Sequence, residues 1–329
     1  MADEARNLHP QRGQNVTLVS TIVTPDYVVQ ASDRLLTKNG KPFDPIANKS
    51  VLYRAEDAIA TISYSGIAYI NQTPTDEWLA QRLWGPPILR SFDNVRPARW
   101  TSGSRPNAWT LDTAIRELKR AIEGLPRKAI NQGGLFLSIA AWRARRTWRY
   151  PECIVVGIKR PMNTTRCEVE SLTLDLQGKR LVLYDITDRI FQSDLDSKLE
   201  RFRSRKALTI GDAESVLVEL IREKSQTDSV VGSNVMAMLL PKPNTGSVIC
   251  RFNDATPHQA RVTSSAGVID IAVAHTPWIH GSHFLRAPQV FNFPKIEINL
   301  DGVPVELIGP NSKDKPPISI ASATERPKP

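Results

Sequence analysis

The sequence predicts an α+β fold: a four-layer αββα sandwich of two antiparallel sheets flanked by helices. Three observations predict it. Short β-branched and apolar runs, bounded by turn residues, fill 17–64 and recur after 134 and after 235. Two stretches, 110–125 and 210–224, place apolar residues on one helical face only. The elements also come in blocks: strands, two helices, strands, two helices, strands. A helix pair must bury its stripe on a sheet, and two sheets covered on one face each bury the other face against one another.

The elements follow in order. Residues 1–16 are polar and read as a leader. Strands are expected at 17–24 and 27–33, and Asn39-Gly40 marks a tight hairpin within 34–44. Two more strands, 51–53 and 58–64, lead to Ser65-Gly66. A short helix starts near Thr75, with Thr75 as its cap and Asp76 and Glu77 in its first turn, and stops at Gly85-Pro86-Pro87. A loop of about twenty residues follows, long for a compact domain. The 110–125 helix carries Leu111, Ala114, Ile115, Leu118, Ala121, Ile122 and Leu125, and closes at Gly124 and Pro126. Strands are expected at 134–142 and 152–158. A further pair, 167–175 and 180–186, is expected to turn at Gln177-Gly178. Helices at 193–206 and 210–224 come next, the second opened by Thr209-Ile210-Gly211-Asp212. Strands at 235–240 and 248–252 complete the block. The division expected is a leader (1–16), a main domain (17–260) and an extension (261–329) that holds strand-like pieces at 295–300 and 304–308.

Composition excludes several classes. The 329 residues are 41% hydrophobic, enough for a substantial core. No segment approaches the ~18 consecutive apolar residues of a membrane span, and the first sixteen residues hold no apolar core of a secretory signal. A cytoplasmic protein is expected. Cys153, Cys167 and Cys250 are widely spaced and form no metal pattern. His280-x-x-His283, with His275 nearby, has ligand-like spacing but no visible further ligands. The net charge of +9 concentrates in 82–105 and 142–150, where Arg and aromatic residues interleave. Such runs can clamp single-stranded nucleic acid. No recognised nucleic-acid motif accompanies them, and nucleic acid is not the expected partner.

The candidate chemistry lies near the N-terminus. Thr17, Asp33 and Lys49 are evenly spaced (33 − 17 = 16; 49 − 33 = 16), each at the edge of a predicted strand. A threonine hydroxyl needs a neighbouring base to act as nucleophile. A free α-amine, with a reference pKa of ~7.7–8, can be that base without any histidine. A lysine ammonium nearby favours the deprotonated forms of both groups, and an aspartate would hold that lysine charged. Gly66, after a strand, allows the chain to approach a substrate and to offer its N–H to an oxyanion. Ser20 and Thr21 are rival hydroxyls without the spacing.

This pattern resembles the N-terminal half of proteasome β-subunits and the N-terminal-nucleophile hydrolases, in an uncharacterised bacterial branch. The resemblance implies that Thr17 is the nucleophile once residues 1–16 are removed, that Asp33 and Lys49 are its charge pair, and that Gly66 is its oxyanion glycine. It also implies that Asp228, in Asp228-Ser229-Val230-Val231-Gly232, supports the amine. The chain departs from the family pattern at Val231, where a serine is usual, and at Val16, where a glycine precedes the nucleophile. The activity implied is that of a threonine-type peptidase or amidohydrolase acting on a peptide or another amide. No metal or organic cofactor is implied. The partners implied are further copies of the chain in a homo-oligomer and an ATPase. Two other readings stay open: a catalytically inactive assembly subunit of the same fold, and a basic nucleic-acid-binding module.

Overall fold

The computed structural model describes residues 17–84, 109–144, 151–174, 181–202 and 208–253, apart from 39–40, 46, 131–132 and 188–189. It also describes Ala255 and short strands at 101–102 and between 260 and 319. In chain order the elements are β1 (Val19–Val23), β2 (Tyr27–Asp33), β3 (Leu36–Lys38), β4 (Lys41–Asp44), β5 (Ser50–Arg54), β6 (Ala58–Gly66), β7 (Tyr69–Ile70), β8 (Thr73–Pro74), α1 (Thr75–Trp84), β9 (Thr101–Ser102), α2 (Leu111–Glu123), α3 (Arg127–Ile130), β10 (Leu135–Ala144), β11 (Pro151–Arg160), β12 (Glu168–Leu174), β13 (Val182–Asp185), α4 (Gln192–Leu199), α5 (Ile210–Thr227), β14 (Val235–Pro241) and β15 (Val248–Asn253). Seven short strands follow: β16 (Ala260–Ser264), β17 (Gly267–Ile271), β18 (Pro277–His280), β19 (His283–Arg286), β20 (Lys295–Leu300), β21 (Val303–Ile308) and β22 (Ile318–Ser319).

Two sheets carry the fold. One runs β13-β1-β2-β14-β15-β21-β20-β22 and the other β12-β11-β10-β6-β5-β18-β19-β9. Their central ladders are antiparallel, as the sequence predicts; β18 and β21 join β5 and β15 in parallel. Period-2 alternation gives every central strand two buried faces. On β6, Ala60, Ile62 and Tyr64 face outward and pack with Trp78, Leu79 and Leu83 of α1 and Leu111, Leu118 and Ile122 of α2. On β2 and β14, Val29, Ala31, Val235 and Ala237 pack with Val216, Leu217 and Ile221 of α5. The inner faces meet in a third cluster, which includes Leu52, Trp142, Cys153, Met238 and Leu240. The result is the αββα sandwich.

Helix ends follow the local sequence. Thr110 caps α2 by accepting from the Thr113 N–H at 3.3 Å, and Gly124 ends it. Thr209 and Asp212 cap α5 reciprocally, each N–H reaching the other's side chain at 3.1 Å. Thr75 behaves differently from its expected capping role. Its hydroxyl donates to the Ile67 carbonyl at 2.7 Å and ties α1 to the chain leaving β6.

A pairing expectation is corrected too. The strands around Gln177-Gly178 do not form a hairpin. β12 pairs with β11 in one sheet, and β13 pairs with β1 in the other. Turn residues mark where a chain reverses; which sheet each strand then joins depends on burial far away in sequence. By joining β1, β13 puts Tyr184 against the inner cluster and Leu183 against the outer one. The expected loop after Pro87 and the leader lie outside the described residues.

The sandwich interior is polar toward one end. Along the inner face of β6, apolar Ile59 gives way to Thr61 and Ser63. Both donate to Gln30 Oε1 on the facing sheet, at 3.1 and 2.5 Å. Gln30 Nε2 donates to Thr21 Oγ1 at 3.1 Å and to Ser138 Oγ at 3.0 Å. Buried amides survive only when satisfied in this way. The next inward position along β6 is Ser65, and beside it stands Thr17.

Candidate active site

Three segments converge at the polar end. Thr17 lies two residues before β1, Asp33 is the last residue of β2, and Lys49 immediately precedes β5. β1 and β2 are paired neighbours, and this brings Leu18 opposite Asp33: the Asp33 N–H donates to Leu18 O at 3.1 Å. β5 belongs to the other sheet and delivers Lys49 from across the interior.

Asp33 and Lys49 have no solvent exposure, and Thr17 is 6% exposed. Lys49 Nζ lies 2.7 Å from Thr17 Oγ1, 3.3 Å from Asp33 Oδ2 and 2.5 Å from the Leu35 carbonyl. An ammonium has three donors, and all three find acceptors here. The Asp33 carboxylate is also fully engaged. Its Oδ1 accepts from the Leu18 N–H at 2.8 Å, and its Oδ2 accepts from the N–H groups of Leu35 and Gly232, both at 3.0 Å. Charges stripped of water need this degree of pairing.

Burial pushes the Lys49 amine below its usual range; Asp33 opposes that shift, and the neighbouring Arg34 adds to it. Arg34 is itself fully buried, its guanidinium 4.7 Å above the Phe252 ring. Tyr64 is buried and donates to the Asn48 carbonyl at 3.2 Å. Desolvation first, and then the surrounding carboxylates led by Asp76, hold its hydroxyl protonated well above the ordinary tyrosine range.

Of the residues expected at the site, Thr17, Asp33 and Lys49 come together. Gly66 ends β6, directly after Ser65, whose hydroxyl donates to the Thr17 carbonyl at 2.6 Å. Its φ of +98° favours glycine, and a Cβ there would stand 2.4 Å from the Gly134 carbonyl oxygen. Asp228 follows α5; its N–H donates to Lys224 O, and its carboxylate accepts from the Val230 N–H at 3.2 Å. The loop it opens reaches Asp33 through the Gly232 N–H. A Cβ on Gly232 would sit 2.6 Å from Leu35 Cβ, so only glycine lets this N–H approach Asp33. We expect Gly232→Ala to lower stability by about 2 kcal/mol and to loosen Asp33; urea unfolding of the purified variant measures it, and an unchanged midpoint refutes the contact.

Sequence reasoning missed Ser65, the Leu35 carbonyl and the two N–H groups on Asp33 from Leu18 and Leu35. Backbone groups carry no residue-type signal. Ser65 did carry one, a hydroxyl directly before the glycine.

The other constellations contribute less. Among the described residues no cluster of three or more His, Cys, Asp or Glu could hold a metal ion. His275 lies outside the described residues, and His280 and His283 pair across β18 and β19. Most of the two basic runs lies outside the described residues too. Of the second, Trp142 is buried and donates to Leu240 O at 3.1 Å, and Arg143 binds Glu152 and Asp112. No described helix is long and apolar enough to cross a membrane.

No protein-family model matches the chain, and no curated protein matches it. Solved structures do resemble it. Anbu from Hyphomicrobium sp. strain MC1 is 13% identical with a TM-score of 0.43, covering 72% of this chain and 88% of its own. The Gly-1 mutant of that protein is 14% identical, also at 0.43, covering 73% and 88%. Anbu (ancestral beta-subunit) from Yersinia bercovieri is 14% identical at 0.39, covering 68% and 82%. These findings correct the family assignment. With no matching family model, and with structural likeness this slight, the resemblance to an uncharacterised bacterial branch of the proteasome β-subunits and N-terminal-nucleophile hydrolases does not stand as membership. Layered folds are shared by unrelated chemistries, so function must be argued from the site itself. The expected ATPase partner rests on that resemblance alone.

Proposed function

We propose that the chain is a threonine-type peptidase or amidohydrolase whose nucleophile is Thr17, freed by removal of residues 1–16. The supporting observation is the Lys49 ammonium, 2.7 Å from Thr17 Oγ1 and paired with a fully buried Asp33. A buried charge pair adds little net stability, because desolvation offsets its attraction. Here it places a positive charge against a hydroxyl at the end of the interior.

In the proposed reaction the Thr17 α-amine takes the hydroxyl proton as Oγ1 adds to the amide carbonyl carbon. Lys49 stabilises the developing alkoxide, and the Gly66 N–H donates to the oxyanion. The C–N bond breaks, the amine leaves with the proton, and an acyl ester on Thr17 remains. Water, deprotonated by the same α-amine, releases the acid and restores the hydroxyl. No external cofactor enters these steps.

Intact mass and N-terminal sequencing of the purified chain test the proposal, together with hydrolysis of peptide amides. A species beginning at Thr17, with hydrolysis lost in Thr17→Ala, supports it. A chain that keeps residues 1–16 and resists acylation by a peptide β-lactone refutes it and favours an inactive assembly subunit. An uncut chain acylated at Thr17 would remove the α-amine as the base.

The proposal includes a cytoplasmic location, supported by three free cysteines. It also includes self-association. β12 is an edge strand among the described residues, with Val169 and Leu172 exposed, and such an edge is a surface for another chain. Light scattering measures that. The proposed division remains 1–16, 17–260 and 261–329, and the strands of the last part lengthen both sheets.

A further inference from the structure

We propose that Ser65 is a positioning residue that holds the peptide plane between Thr17 and Leu18 and thereby aims the nucleophile. The inference starts from what holds Thr17 in place. The residue lies outside β1, so no strand ladder orients its carbonyl. The plane that joins it to Leu18 is gripped at both edges by side chains from opposite sheets. Its carbonyl accepts from Ser65 Oγ on β6 at 2.6 Å, and its N–H donates to Asp33 Oδ1 on β2 at 2.8 Å. Ser65 has no solvent exposure, so water cannot replace its hydroxyl.

The consequence is geometric. With the plane fixed, the rotation between the Thr17 Cα and its carbonyl carbon decides where Oγ1 and the nitrogen lie. Lys49 then fixes the hydroxyl itself. In a chain cut before Thr17 no preceding peptide restrains the residue, and the Ser65–Asp33 grip is what remains on its backbone. A free terminal residue otherwise frays, and a misplacement of about 1 Å at a reacting atom costs about a hundredfold in rate. Ser65 also precedes Gly66, so one strand end sets both the nucleophile's carbonyl and the proposed oxyanion donor. The aiming role rests on the reading of Thr17 as nucleophile; the grip on the peptide plane does not.

The experiment compares wild type, Ser65→Ala and Ser65→Thr as full chains, each checked for folding by thermal melting. Two quantities are read: hydrogen exchange at the Leu18 amide, and the rate of Thr17 acylation by a peptide β-lactone, followed by mass. In Ser65→Ala we expect Leu18 exchange to quicken by at least about tenfold and acylation to slow by about ten- to a hundredfold. Peptide hydrolysis should show that loss in kcat with KM little changed. Ser65→Thr keeps the hydroxyl and should restore part of each. A folded Ser65→Ala chain with wild-type exchange and acylation overturns the proposal, as does a folded Ser65→Thr chain that behaves like Ser65→Ala. If wild type is never acylated but Ser65→Ala still loses Leu18 protection, the grip stands and the nucleophile reading fails.

Discussion

Lys49→Met is expected to abolish hydrolysis, by roughly a thousandfold or more, and to destabilise the chain by about 3 kcal/mol. The stability loss has a definite origin. Methionine fills much of the lysine's volume but leaves the Asp33 carboxylate, with no solvent exposure, without its counter-charge. Breaking a buried pair from one side is far costlier than replacing both partners. The double variant Lys49→Met/Asp33→Asn should therefore regain part of the lost stability and none of the activity. A denaturation cycle on the four proteins measures the coupling; additive losses would mean that the two charges are not a pair.

The same lysine predicts a pH signature. Its folded-state pKa lies below the ordinary 10.5 because burial disfavours the ammonium. Between those two values the unfolded chain binds more protons than the folded one, so this group makes stability rise with pH across that window, up to the ordinary 10.5. Buried tyrosines such as Tyr64, whose pKa is raised, act in the opposite sense. The difference between wild type and Lys49→Met isolates the lysine: their stability gap should widen as pH rises through the window.

Gly66→Ala is expected to cost of the order of 3 kcal/mol and to remove most activity. Two effects add. An alanine at φ +98° is strained, and its Cβ would meet a backbone oxygen at 2.4 Å, where no flexible side chain can yield. The ends of β6 and β10 must separate, because Gly66 pairs with Leu135 there. The Gly66 N–H moves with them, and the loss of one oxyanion donor is worth about a hundredfold or more. Urea unfolding and peptide-amide hydrolysis read the two effects separately. An alanine variant of native stability would show that the two strand ends do not meet at this glycine.

Much of the fold could be read from the chain. The stripe Leu111, Ala114, Leu118 and Ile122 and the cap Thr110 specify α2 from local physics alone, and Thr209 with Asp212 does the same for α5. The period-2 pattern in β6 predicts a strand; the burial of both its faces comes from the second sheet and the helices. Pairing was less legible. The Gln177-Gly178 turn signal suggested a hairpin, yet β12 and β13 joined different sheets, because the energy that decides their partners comes from β11 and β1.

The site divides along the same line. Residue types and even spacing singled out Thr17, Asp33 and Lys49, since each carries its chemistry in its own side chain. Their 2.7 and 3.3 Å contacts, the grip of Ser65 on the Thr17 carbonyl and the approach of Gly232 to Asp33 were decided only by how the two sheets stack. A sequence names its reactive groups locally, but hydrogen bonds to backbone atoms and the loss of surrounding water arise between segments that are distant in the chain.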